Sequence, residues 1–215
     1  LQYPQKLNLK LTKIKTNNSI LDLEDLKAKS KSADTLLYQN PGGYFAELPI
    51  KEIYQICQKN NCLVILDVSG GIGTRLCNGD YADIIVCSFG KWKPINAQTG
   101  GFISCKNQEL FNKIKPSFKI LEDETKLKII LEKINNLQSR INFLLEKRKQ
   151  IISDLKDFNI INKDHLGFVV VVKHKDDSEK EKIINYCQKY NLEYTECPRY
   201  IRTNQKAISI EVKRL

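Results

Sequence analysis

Residues 62–76 read CLVILDVSGGIGTRL and residues 82–104 read ADIIVCSFGKWKPINAQTGGFIS. Each begins as a continuous apolar run. The first run ends on a carboxylate, Asp67, and turns through glycines; the second ends on a hydroxyl, Ser88, followed by Lys91, Lys93 and the Gly100–Gly101 pair. Runs that are apolar at every position predict strands buried on both faces, as in a parallel sheet covered by helices. Right-handed crossovers line up the carboxyl ends of such strands along one edge, and ligands sit at that edge. Asp67 and Ser88 both fall there, so the strand pattern alone predicts an acid and a hydroxyl over one crevice.

Working outward, residues 48–61 (LPIKEIYQICQKNN) carry Ile50, Ile53, Ile56 and Cys57 at helical spacing and deliver the first of these strands. Residues 34–40 (DTLLYQN) predict a strand ending in the turn residues NPGG, residues 21–29 a helix, and residues 6–14 (KLNLKLTKI) a half-buried strand. From Thr125 to about Phe158, Leu127, Ile130, Ile134, Leu137, Ile141, Leu144, Ile151 and Leu155 alternate three and four apart, with Arg148 filling one slot. That spacing predicts one long helix with a heptad-like stripe, linking two units and leaving a dimer contact open. Beyond it, GFVVVVKH (167–174), a helix over 178–191, LEYTECP (192–198) and KAISIEV (206–212) form a small unit. The fold class expected is α/β, a mostly parallel sheet with helices on both faces over residues 1–118. The linker helix and a small α+β domain follow over 119–215.

Composition narrows the partners. The chain has 215 residues, 41% hydrophobic, and a formal charge of +10, with lysines and acids interspersed. That pattern reads as a solvated lysine-rich surface before it reads as a nucleic-acid groove. No run approaches the ~18 apolar residues of a membrane span, and no secretory pattern opens the chain, so a cytoplasmic location is expected. The seven cysteines include no CxxC pair, which favours buried thiols over a disulfide framework or a zinc site. The sequence has no methionine and opens LQYPQK, so a truncated chain is expected.

Asp67-Val68-Ser69 with Gly73, Ser88-Phe89-Gly90-Lys91-Trp92-Lys93, and Gly100-Gly101-Phe102-Ile103 together resemble the fold type I pyridoxal 5′-phosphate (PLP) enzymes. They are most similar to the DegT/DnrJ-type sugar aminotransferases, over roughly residues 7–105. The resemblance implies amino transfer to a keto-sugar or related carbonyl through a lysine imine. Lys93 would carry the aldehyde, and Asp67 would hold the pyridine nitrogen protonated, which deepens the cofactor's capacity as an electron sink. Ser69 would be the small residue on which the ring lies, and Ser88 a donor to the phosphate. Lys91 is the alternative imine lysine if the chain is closer to the cysteine desulfurases. Arg199 and Arg202 are the candidates for a substrate carboxylate. On the residues alone, Asp67 also fits a turn cap and Ser88 a plain strand-end hydroxyl.

The same resemblance exposes departures. Gly70 stands where the family commonly has Gln, and Ile72 where it has His. A preceding segment that supplies two strands, a phosphate-binding helix terminus and a stacking aromatic has no counterpart here. One of those strands would lie between residues 6–14 and 34–40, so the gap is expected to close by direct pairing of these two segments with self-association. A strand from a second chain, or departure of the first ~30 residues from the sheet, are the other outcomes. The isolated chain is then expected to bind PLP poorly. A homodimer or a second polypeptide completing the large domain is the partner expected, and a non-catalytic remnant or subunit is the alternative function.

Overall fold

The computed structural model describes residues 6–215. A hairpin of β1 (Thr16–Asn17) and β2 (Ile20–Leu21) leads into helix α1 (Leu23–Lys29), whose first N–H groups are capped by Asp22. Four strands then make the first sheet: β3 (Thr35–Gln39), β4 (Leu63–Asp67), β5 (Ile84–Ser88) and β6 (Gly101–Cys105), in that spatial order. β3, β4 and β5 are parallel, and β6 returns antiparallel to β5. Helix α2 (Ile50–Lys59) makes the crossover from β3 to β4, burying Ile53 and Cys57 against Leu36, Val64 and Leu66.

After α3 (Gln108–Ile114), the expected long helix is two: α4 (Glu124–Asn135) and α5 (Leu137–Asp154). The break falls at Asn136, whose side-chain amide donates to the Glu132 carbonyl at 3.0 Å. Asparagine competes with the helix for its own backbone partners, a property the apolar stripe does not register. The stripe divides accordingly. Ile130 of α4 belongs to the core of the first sheet, while Ile141, Leu144 and Ile151 of α5 belong to the second core, and Leu137 packs against both.

The second sheet is antiparallel, in the order β7 (Ile160–Ile161), β8 (Val170–Lys173), β10 (Ala207–Ile210), β9 (Tyr194–Cys197), with helix α6 (Asp177–Lys189) laid on it. A third cluster joins the two units: Phe45, fully buried, packs with Val169, Val171 and Ala207.

Residues 6–14 depart from expectation. They form no strand, and Leu7, Leu9 and Leu11 are exposed. The segment has left the sheet, and the expected direct pairing with residues 34–40 does not occur: β3 pairs only with β4 among the described residues, with Leu37 63% exposed. β3 itself is buried on one face only, Leu36 and Tyr38 inward and Thr35 and Leu37 outward, so an alternating strand would match it; the structure nonetheless holds residues 6–14 off the sheet. Among the described residues no helix is long and apolar enough to cross a membrane, and no group of three or more His, Cys, Asp or Glu stands together in a way that could hold a metal ion.

Candidate functional site

The carboxyl ends of β3, β4 and β5 place Gln39, Asp67 and Ser88 along one edge. Gln39 is the register partner of Asp67, and Asp67 that of Val86, two residues before Ser88 on the same face. Asp67 Oδ1 accepts the Ser69 N–H at 2.8 Å, which closes the turn after β4. Ser69, buried, accepts the Ser88 N–H on its Oγ at 2.8 Å, and Ser88 Oγ accepts the Gly90 N–H at 3.1 Å. Asp67, Ser69 and Ser88 are thus tied into one hydrogen-bonded run across the sheet edge. Asp67 Oδ2 takes no hydrogen bond from the described residues, and the Ser88 hydroxyl keeps its own hydrogen free to donate.

Lys93 extends from the segment after β5 and donates its Nζ to the Tyr44 hydroxyl, sitting 4.9 Å from that ring's centroid. Cys87, buried in β5, feels the charges of both this lysine and Asp67. Its thiol is pushed up to about 12 by burial and by the Asp67 charge, and Lys93 draws it the other way. Both charges therefore act on one buried atom. Lys91 is exposed and lies over the Trp92 ring, 4.9 Å from its centroid.

The small unit contributes a cluster of cations. Arg202, 3% exposed, donates to both oxygens of Glu211 at 3.0 and 2.9 Å, and its Nε donates to Ser209 at 3.1 Å. Lys213 Nζ lies 3.3 Å from the same carboxylate. Burial alone would push the Glu211 carboxyl up, yet the Arg202 and Lys213 charges, with hydrogen bonds from Arg202 and Ser209, hold it below its ordinary value. Arg202 and Lys213 also stand 5.5 and 4.8 Å from the Tyr44 ring centroid, and Arg214 stands 4.3 Å from that of Trp92. Arg202 is committed to an internal carboxylate, whereas Arg199 is exposed and only its backbone is engaged, its N–H donating to Thr203 O at 2.9 Å.

Three participants were not legible as site residues. Tyr44 follows the NPGG turn directly after β3, on the same sheet edge, so its position along that edge was the available signal. Gln39 is the last residue of β3, and its Nε2 is buried beside Gly70 without a partner among the described residues. Lys213 lies beyond β10 near the end of the chain, and nothing local in the sequence connects it to Lys93.

The family model described as the DegT/DnrJ/EryC1/StrS aminotransferase family matches residues 15–128, more than half of the chain. A search of curated proteins by sequence finds no match. Among solved structures, the chain is similar to an apo cysteine desulfurase from Thermococcus onnurineus NA1 (TM-score 0.66, 14% identity, covering 98% of this chain and 63% of that one). It is similar also to a NifS-like protein from Rickettsia africae ESF-5 (0.61, 17%, 92% and 63%). A serine palmitoyltransferase from S. paucimobilis gives 0.64, 14%, 88% and 54%. The chain spans less than two-thirds of each of these proteins, and the likeness to them is one of fold.

Proposed function

From the premise that this chain belongs to the DegT/DnrJ/EryC1/StrS aminotransferase family, we propose that it is a PLP-dependent aminotransferase-type protein acting on a keto-sugar or related carbonyl compound. What supports the reading is that Asp67 and Ser88 end the parallel strands β4 and β5, while Lys93 reaches Tyr44, whose ring lies against Gly70 in the turn after Asp67. The residues present fit the group. Asp67 has a carboxylate oxygen without a hydrogen-bond partner among the described residues, suited to a protonated ring nitrogen. Ser88 has a free hydroxyl hydrogen for a phosphate oxygen, and the buried Gln39 amide is an unused donor on the same edge. PLP, when bound, supplies the electron sink that stabilises negative charge at the substrate carbon.

The chain's own part is positional. The Ser69 and Gly70 turn keeps the floor beside Asp67 low, since Ser69 turns its hydroxyl toward the Ser88 N–H and Gly70 has no side chain. Lys93 Nζ carries the proton that moves during amino transfer, and the Tyr44 hydroxyl is its neighbour. Arg202 and Lys213, which share the single carboxylate of Glu211, leave net positive potential beside Tyr44 for an anionic substrate group.

The test is borohydride reduction of the protein after addition of PLP, followed by peptide mass mapping. A pyridoxyl mass on Lys93, lost in Lys93→Arg and kept in Lys91→Arg, supports the reading. Label on Lys91 alone moves it toward the cysteine desulfurase type, and no label on either lysine overturns it.

The open edge of β3 favours a second reading. A parallel strand whose outer edge has no partner among the described residues, and which exposes Leu37, is a place for another strand. On this reading the 215-residue chain works with a second polypeptide or as a homodimer, and alone it binds the cofactor weakly and turns over slowly. Mixed-lysate reconstitution that raises PLP affinity and shifts the elution volume checks it.

A further inference from the structure

Tyr44 stands where the two units meet. Its backbone is fixed: φ is 68°, and its carbonyl accepts the Phe168 N–H at 2.8 Å. Its side chain is held differently. The hydroxyl accepts from Lys93 Nζ and has no other hydrogen-bond partner among the described residues. The ring is seated on Gly70, where an added Cβ would lie 2.7 and 2.8 Å from Tyr44 Cδ1 and Cε1. Lys93, Lys213 and Arg202 surround that ring at 4.9, 4.8 and 5.5 Å from its centroid. A cavity of about 340 Å³, lined by Gln39, Gly42, Gly43, Tyr44, Tyr200 and Arg202 among others, opens beside it.

We propose that Tyr44 is the positioning residue for Lys93: its hydroxyl masks the amine, its ring fills the space over Gly70, and a carbonyl ligand gains the amine only after the ring turns aside. The backbone anchor on Phe168 confines the motion to the side chain, and the neighbouring cavity gives the ring somewhere to go. Among the described residues Glu211 is the one carboxylate paired with the two small-unit cations that face the ring, so a displaced ring leaves positive charge facing the crevice. An anionic, planar carbonyl compound is the kind of ligand that takes the place of the phenol. The identity of that ligand rests on the PLP reading above; the masking of Lys93 does not.

The experiment therefore measures the amine first without cofactor. Acetylation by an N-hydroxysuccinimide ester is followed for each lysine by peptide mass spectrometry, with Lys91 and Lys27 as internal references. Tyr44→Phe keeps the ring and removes the hydroxyl; the Lys93 rate is expected to rise about tenfold, the scale of one charge-assisted hydrogen bond, with the references unchanged. Gly70→Ala leaves Tyr44 intact but occupies its seat, and the same rise at Lys93 is expected. A Lys93 rate within about twofold of the parent protein in either variant overturns the proposal, since the contact would then not govern the amine.

In a second arm, PLP and borohydride are added. Tyr44→Ala, which vacates the space, is expected to gain pyridoxyl label on Lys93 faster than Tyr44→Phe, which does not; equal rates overturn the role of the ring. If no variant takes pyridoxyl label while acetylation of Lys93 responds to Tyr44→Phe and Gly70→Ala, the masking by Tyr44 is upheld and the PLP reading is what fails.

Discussion

Arg202 Nη2 lies 3.0 and 2.9 Å from the two carboxylate oxygens of Glu211, and the side chains are 3% and 0% exposed. A buried pair of this kind is costly to break, because removing one partner strands the other without water. Glu211→Gln leaves both Arg202 and Lys213 uncompensated and is expected to destabilise the protein by about 3–5 kcal/mol, read by urea unfolding.

The same carboxylate sets a pH dependence. Its folded pKa is held below the ordinary value, so its contribution is fully present above the ordinary glutamate pKa of about 4.3 and is lost as pH falls through the lower, folded value. Unfolding free energy measured between pH 6 and pH 3 is expected to fall for the parent protein. In Glu211→Gln the Glu211 share of that fall is absent, and a parallel fall in both proteins would contradict the assignment.

Gly167 is the backbone crossing that lets the Tyr44 turn reach the second sheet. A Cβ there would stand 2.4 Å from the Tyr44 carbonyl oxygen, which is backbone and cannot swing away. Gly167→Ala is expected to cost about 1–3 kcal/mol and to lower the melting temperature, while a distant exposed substitution such as Lys113→Ala changes little.

The cysteines divide by burial. Cys57, Cys62, Cys87, Cys187 and Cys197 are buried, and Cys77 and Cys105 are partly exposed. Burial pushes the Cys57 thiol up to about 12 and that of Cys187 up to about 11. At neutral pH a disulfide reagent is expected to modify Cys77 and Cys105 first and the buried five only on unfolding. Early modification of Cys57 would show that this face of α2 does not pack on the sheet.

Asp67 offers a separation of structural and chemical roles. Its Oδ1 accepts the Ser69 N–H, and an asparagine can make the same turn. Asp67→Asn is expected to change stability by less than about 1 kcal/mol, because it keeps that hydrogen bond. PLP affinity, followed by absorbance titration, is expected to fall about tenfold or more, as each 1.4 kcal/mol of lost ring-nitrogen stabilisation is a factor of ten.

Much of the first sheet was readable because its strands are apolar at consecutive positions. Leu63 to Asp67 and Ile84 to Ser88 could be nothing else at that length, and the end of each run placed Asp67 and Ser88. The departure at residues 6–14 has no signature in their pattern: Leu7, Leu9 and Leu11 alternate with Asn8 and Lys10 as a half-buried strand does, and β3 alternates in the same way. The Asn136 break was hidden in the stripe because helix continuity depends on a polar residue's local hydrogen bond, which a tally of apolar positions ignores. Tyr44 and Lys213 escaped for a different reason. Their proximity is a product of how the small unit docks, through Phe45 and Gly167, and separations of more than a hundred residues leave no local pattern.

Leu137, the first residue of α5, packs into both of the larger cores. Two cores joined through one apolar residue and through Phe45 cannot lose their packing independently. Melting the first sheet removes the partner surface of α5 at its amino end, and melting the second leaves Phe45 and Leu137 facing water. The consequence is one of cooperativity: despite its two sheets the chain should unfold in a single calorimetric step. Leu137→Ala should weaken the coupling between the halves and spread that step into two.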